Sequence, residues 1–308
     1  MTRLALKIDV DTERGARDGI LPLAELCRRE QVPALFLFSL GPDRMGRSIF
    51  RVFKPGFLRK VLRTRVASNY GWSTLLNGTL KPAPHLGRRF GDRLRQVRDQ
   101  GFEVGIHGYD HYTWQTRIQG MSLEATRREL RLAADEFQCI FGEPARVAGA
   151  PGWQCTAHSL TVNDELQLDY ASDVRGRHPF LPALNGRLFF TPQLPTTLPT
   201  LDELLGLPEC TGPQLLPRYL RLLAEGGDHV MTIHAELEGL NYRGFFTDLI
   251  RQFRQSRGEF CSLRDLLREA RGPNGPGLPV CEIDHRELPG RSGTLAVQGE
   301  PMPRKQEK

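Results

Sequence analysis

Between Arg44 and Gly91 the chain has no aspartate or glutamate, although acids make up 36 of its 308 residues. Those 48 positions hold 11 lysines and arginines, leaving 31 basic against 36 acidic residues in the other 260, a balance of −5. The net charge of +6 is therefore concentrated in one segment and is not a property of the whole surface. Thiol pairs are also missing. The six cysteines, at 27, 139, 155, 210, 261 and 281, form no C-x-x-C pair and show no short spacing that would suggest a thiolate zinc site or a disulfide framework. They are expected as mostly buried thiols. No apolar run approaches the roughly 20 residues that cross a bilayer, so no integral membrane helix is expected. The opening MTRLALKIDVD enters a strand-like segment at once, leaving no room for a signal core, and the protein is expected to stay in the cytosol. There is no internal repeat.

What is present reads as an ordinary globular chain, 39% hydrophobic and 25% charged. LALKIDV reads as a buried strand, GILPLAELCRRE as a helix and ALFLFSLG as a second strand. After residues 43–90, LGRRFGDRLRQVRDQG predicts a helix and FEVGIH a third strand. Alternation continues through SLEATRRELRLAADEFQCIFG, ARVAGA, LDYASDV, HVMTIHA and FFTDLIRQFRQS. Six or seven such alternations predict an α/β fold close to a parallel (β/α) barrel, occupying residues 1–271, with a basic helical insertion after strand 2. Residues 272–308, rich in Pro, Gly and charge, are expected to form a flexible tail.

In the insertion, Ile49, Phe50, Phe53, Phe57, Leu58, Val61, Leu62 and Val66 recur at helical spacing, with Arg47, Arg51, Arg59, Lys60, Arg63 and Arg65 between them. Pro55 breaks the run, so two short amphipathic helices are expected. Basic helices with an apolar face suit the headgroup layer of an anionic membrane, although a hairpin packed on the barrel accounts for the same pattern. No nucleic-acid reader motif accompanies the charge.

The chemistry-bearing residues gather at strand ends. Asp9 and Asp11 close the first strand two residues apart, on one face of an extended chain, so one can ligate while the other takes a proton. The third strand delivers His107 and His111, in HGYDH, to the same rim of a barrel. Asp11, His107 and His111 make a three-ligand set suited to a divalent ion, zinc best, with cobalt, manganese or nickel as alternatives. His234, in TIHAE, also closes a strand.

IDVDT, HGYDH, GAPGW, ASDVRG and TIHAE stand in an order and spacing that resembles the polysaccharide deacetylase family, over most of residues 4–270. The resemblance implies a distorted (β/α) barrel that hydrolyses N-acyl groups on sugars with a metal. It further implies Asp11, His107 and His111 as ligands, Asp9 as base, His234 as general acid and Asp173 as the acid that tunes His234. Many of these enzymes place an arginine where this chain has Gly149, and Arg175 is a candidate substitute. Tyr109, Trp114 and Trp153 are candidates to line a sugar pocket, since aromatic faces suit pyranose rings. The segments GPDRMGR, QLPTTLPTLDE and TIHAELEG resemble a branch of the family acting on a formamido-arabinose carried by undecaprenyl phosphate. That resemblance implies an amide hydrolase of lipid A modification, peripheral on the cytoplasmic face of an anionic inner membrane, with a lipid-linked amino sugar as substrate and neither nucleic acid nor protein as partner. The alternatives are a deacetylase of another sugar, a non-haem iron oxygenase and a non-catalytic sugar- or lipid-binding barrel.

Overall fold

The computed structural model describes residues 2–47, 74, 76–205, 207, 210, 212–273, 275–291 and 293–303. Its centre is a parallel sheet in the order β5-β4-β3-β2-β1-β8. These strands are β1 (Thr2–Val10), β2 (Ala34–Phe38), β3 (Glu103–Ile106), β4 (Val147–Ala148), β5 (Tyr170–Ala171) and β8 (Gly227–His234). β6 (Leu181–Leu184) and β7 (Arg187–Leu188) lie outside it, and β9 (Glu259–Cys261) pairs with the first half of β1.

The strand order leaves β5 and β8 unpaired with one another, and residues 193–198 cross between them. Leu194 donates its N–H to the Ala171 carbonyl at 2.8 Å, and Thr197 donates to the Val230 carbonyl at 3.0 Å. An irregular segment thus stands where a regular barrel would have further strands. The expectation of a distorted α/β barrel holds.

Period-two alternation along β1 sorts its side chains. Leu4, Leu6, Ile8 and Val10 enter the core shared with the helices, beside Phe36 and Phe38. Ala5 faces the barrel interior with Leu35, Leu37, Val230 and Leu266, so Lys7 and Asp9, two and four residues on, point inward as well. The outer layer includes α1 (Ile20–Arg29), α2 (Leu86–Asp99), α3 (His111–Arg117) and α4 (Leu123–Phe141). α4 is capped by Ser122, whose side chain accepts from Ala125 N, and ends at Gly142 with φ 77°.

The flexible tail is a correction. Residues 280–301 form β10 (Val280–Glu287) and β11 (Thr294–Pro301), an antiparallel pair that joins β6 and β7 in a four-stranded sheet. Cys281, Ile283 and Ala296 are buried with Phe180 and Phe189. The tail has few apolar residues, but they fall at strand spacing, and that spacing mattered more than its Pro and Gly content.

The predicted amphipathic helices, with Arg51, Phe53, Pro55, Phe57, Arg59, Lys60 and Arg63, lie outside the described residues. Arg47 is described: its Nε donates to the Gly78 carbonyl at 2.9 Å, tying the start of the insertion to its end.

Candidate metal centre

β1 and β8 run in parallel register with Asp9 opposite His234. β2 and β3 continue that register, and His107 N donates to the Phe38 carbonyl at 2.8 Å, which places His107 one residue beyond β3 on the same rim. The HGYDH turn then does what spacing alone does not show. Gly108 adopts φ 67°, a conformation that costs glycine little, and Asp110 caps α3 by accepting from Thr113 N at 3.0 Å. His111 becomes the first residue of that helix, so one imidazole comes from a strand end and the other from a helix start.

Asp11, His107 and His111 are buried together with their donor atoms within 4.8 Å of one another. His107 Nε2 lies 3.4 Å from Asp11 Oδ1, and His111 Nε2 lies 3.2 Å from Asp11 Oδ2. Tetrahedral zinc, with bonds of about 2.0–2.1 Å, sets its donors about 3.3–3.4 Å apart, close to the two separations between Asp11 and the histidines. His107 Nδ1 donates to the Gly149 carbonyl at 2.8 Å, which leaves the Nε2 lone pair for a metal. Among the described residues, Asp11 Oδ1 and His111 Nδ1 are buried without a hydrogen-bond partner, as is Asp9 Oδ1. Asp9 Oδ2 stands 3.7 Å from His107 Nε2, beside the ligand set.

The charges reinforce this arrangement. Burial opposes ionisation of Asp11, but His111, His107 and His234 outweigh it and hold the carboxyl below its usual range. Burial likewise opposes a charged His234, yet Asp202, Asp11, Asp9 and Glu238 raise its pKa to about 9. Burial lowers the pKa of His107, which favours the neutral imidazole a metal needs.

Two acids escaped the reading of the sequence, Glu236 and Glu238, although they stand two and four residues after His234. Glu236 Oε1 accepts from Asp11 N at 3.0 Å, Thr12 N at 2.8 Å and Thr12 Oγ1 at 2.8 Å, and so fixes the turn that carries the ligand. Glu238 Oε2 accepts from His234 N at 2.9 Å. Burial pushes each of these carboxyls up to about 7.

Other expected site residues sit elsewhere. Asp173 accepts from Asn163 Nδ2 at 2.8 Å and Gln193 Nε2 at 3.1 Å and makes no described hydrogen bond to His234, whose foremost charged neighbour is Asp202. Arg175 gives its guanidinium to Glu203 at 2.8 Å and to the Leu198 carbonyl at 2.8 Å, so it does not serve Asp9. Trp153 is buried, with Lys7, Arg175 and Arg291 over its ring, and its indole N–H donates to Thr196 Oγ1 at 3.1 Å. Trp114 is equally buried and donates to the Gln154 carbonyl at 2.8 Å. Neither tryptophan offers a ring face to a sugar, because both rings fill core. Tyr109 is half-buried, with its hydroxyl 3.0 Å from His85 Nε2.

The polysaccharide deacetylase family model matches residues 68–171. A probable 4-deoxy-4-formamido-L-arabinose-phosphoundecaprenol deformylase ArnD of Shewanella sediminis is 36% identical over 298 residues, covering 97% of this chain and 95% of that protein. The chain belongs to the ArnD deformylase family. The ArnD protein of Wigglesworthia glossinidia brevipalpis, of the same probable activity, is 30% identical, covering 92% of this chain and 98% of its own. Within polysaccharide deacetylases, ArnD-family members are hydrolases of a carbon–nitrogen amide bond, and so is this chain. A Mycobacterium smegmatis structure named as a polysaccharide deacetylase superposes with a TM-score of 0.62 at 16% identity, over 93% of this chain and 94% of its own, a likeness of fold.

Proposed function

We propose that this ArnD-family enzyme removes the N-formyl group of 4-deoxy-4-formamido-L-arabinose linked to undecaprenyl phosphate, giving formate and the free 4-amino sugar lipid. One observation carries the mechanism: a second buried carboxylate, Asp9, lies beside the three-ligand set, with the imidazole of His234 opposite it in strand register. The names of the two relatives support the substrate. A divalent ion held by Asp11, His107 and His111 polarises a carbonyl oxygen and lowers the pKa of water to about 7 when bound. Asp9 takes the proton of the water that attacks the formyl carbon. The C–N bond then breaks, and His234 gives its proton to the departing sugar nitrogen. Glu236 and Glu238 hold the backbone of the ligand turn and of His234, so both partners keep their places through the reaction.

The substrate is a membrane lipid, and the basic insertion has a role in this reading. The residues flanking it are tied to the rim of the site: Arg44 pairs with Asp110, and Asn77 Nδ2 bonds Asp43 at 3.0 Å and Glu13 at 3.1 Å. The cationic segment therefore begins and ends beside the catalytic mouth, where it meets an anionic surface while the sugar enters. The enzyme works peripherally on the cytoplasmic face of the inner membrane. The amine it releases is a cation at neutral pH, and adding that sugar to lipid A lowers the surface charge that draws polymyxin-type peptides.

The deciding experiment incubates the purified protein with the formamido-arabinose lipid and its acetamido analogue, with and without chelator, and measures formate and acetate. Chelator-sensitive formate release is expected. Acetate as the main product, or formate release that survives exhaustive metal removal, overturns the reading.

A further inference from the structure

β1 carries a lysine at its centre that is 0% exposed. Lys7 shares the inward face with Ala5 and Asp9, and a lysine at such a position needs a charged or polar partner to offset its lost hydration. Two oxygens provide this. Nζ donates to the Ser172 carbonyl at 3.3 Å and stands 3.6 Å from Asp9 Oδ2, with the Trp153 ring centre at 5.4 Å. Room for the ammonium comes from Gly149: a Cβ there would meet Leu37 Cδ1 at 2.4 Å and stand 3.6 Å from Lys7 Nζ. A side chain at 149 would have to displace the tip of Leu37 and would crowd the ammonium, and here a cation reaches Asp9 from β1 instead.

The contacts of Asp9 are unequal. Oδ2 stands 3.6 Å from Lys7 Nζ and 3.7 Å from His107 Nε2, whereas Oδ1 is buried with no hydrogen-bond partner among the described residues. We propose that Lys7 is the positioning residue of Asp9: its ammonium, anchored on Ser172, holds Oδ2, fixes the plane of the carboxylate and leaves Oδ1 to accept the proton of the attacking water. Arg175, which the sequence offered for this task, is committed to Glu203. The inference rests on Asp9 being the base, and the test separates the two.

Lys7→Met, Asp9→Asn and the double variant are compared for kcat, KM, bound metal and the crystallographic position of Asp9. Lys7→Met is expected to lower kcat about 10- to 100-fold with KM within about twofold and metal content unchanged. Its crystal structure is expected to show the Asp9 carboxylate turned away from its present plane. In the Asp9→Asn background, the lysine substitution is expected to have no further effect on kcat, because Lys7 acts through that carboxylate. Should Lys7→Met fail to fold, Lys7→Gln, which can keep the Ser172 bond, carries the same comparison. A kcat within twofold of wild type, an unmoved Asp9, or an equal loss in both backgrounds overturns the role of Lys7 while leaving Asp9 as base. Full activity of Asp9→Asn overturns the base itself.

Discussion

Asp9 on β1 and His234 on β8 are register partners on neighbouring parallel strands, and Ala235 N donates to the Asp9 carbonyl at 3.0 Å. Parallel register puts paired side chains on one face of the sheet about 4.8 Å apart, so the proposed base and acid keep their separation through backbone hydrogen bonds. Asp9→Asn and His234→Asn are each expected to lower kcat about 10²- to 10⁴-fold while retaining metal. Asp11→Asn is expected to lose the metal as well. Metal analysis by mass spectrometry beside steady-state kinetics distinguishes these outcomes.

Removing the metal should cost stability as well as activity. The donor atoms of Asp11, His107 and His111 are already gathered, so a zinc ion held by them would favour the folded chain over the unfolded one. At a free zinc concentration about 100 times the dissociation constant, the gain is about 2.7 kcal/mol. Thermal unfolding of the chelated protein is expected at lower temperature and to recover on adding zinc. His107→Ala is expected to show no response to the ion.

The metal-free protein should lose stability as pH rises. His234 has a folded pKa of about 9 against an ordinary 6.5, so its contribution is complete below about pH 6.5 and disappears as pH climbs through about 9. The shift corresponds to something on the order of 3 kcal/mol. Glu236 and Glu238, each raised from 4.5 to about 7, lose their contributions in the lower window, between about 4.5 and 7. Urea denaturation of the chelated protein across pH 4 to 10 is expected to show both slopes. His234→Asn should flatten the upper slope, and Glu238→Gln should lessen the lower one, which Glu236 shares.

Gly15 has a steric reason to be glycine. A Cβ there would stand 2.2 Å from Glu236 Oε1, the oxygen that binds Asp11 N and Thr12 N. Gly15→Ala is expected to destabilise the fold by about 1–3 kcal/mol and to weaken zinc binding, because the displaced carboxylate no longer holds the ligand turn. Denaturant titration and a competitive zinc chelator check the two effects separately.

Truncation after residue 279 is expected to be harmful. It removes β10 and β11, exposes the cluster around Phe180 and Phe189, and takes Arg291 from the Trp153 ring. A soluble truncated protein with wild-type melting temperature and activity would show that the hairpin is dispensable.

Much of the site was legible because its residues sit where a strand pattern ends. LALKIDVD and FEVGIH announce buried strands, and parallel α/β architecture brings their C-terminal ends to one rim, so the gathering of Asp9, Asp11, His107, His111 and His234 was expected without coordinates. Glu236 and Glu238 were missed because an acid after a strand reads as solvated surface until its backbone partners are known. The two tryptophans were misjudged because composition does not distinguish a ring that faces a cleft from one that fills a core.

By itself the sequence determined the alternation of elements, the local concentration of positive charge and the candidate metal-ligand set, since these follow from local period and residue chemistry. Only the tertiary structure decided which charge meets which. Lys7 lies beside Asp9, Arg175 beside Glu203 and Asp173 beside Asn163, and the C-terminal strands close over Phe180 and Phe189. These are long-range pairings or choices among nearby candidates, and they are fixed by strand register and by the need of every buried ion for a partner, neither of which local sequence encodes.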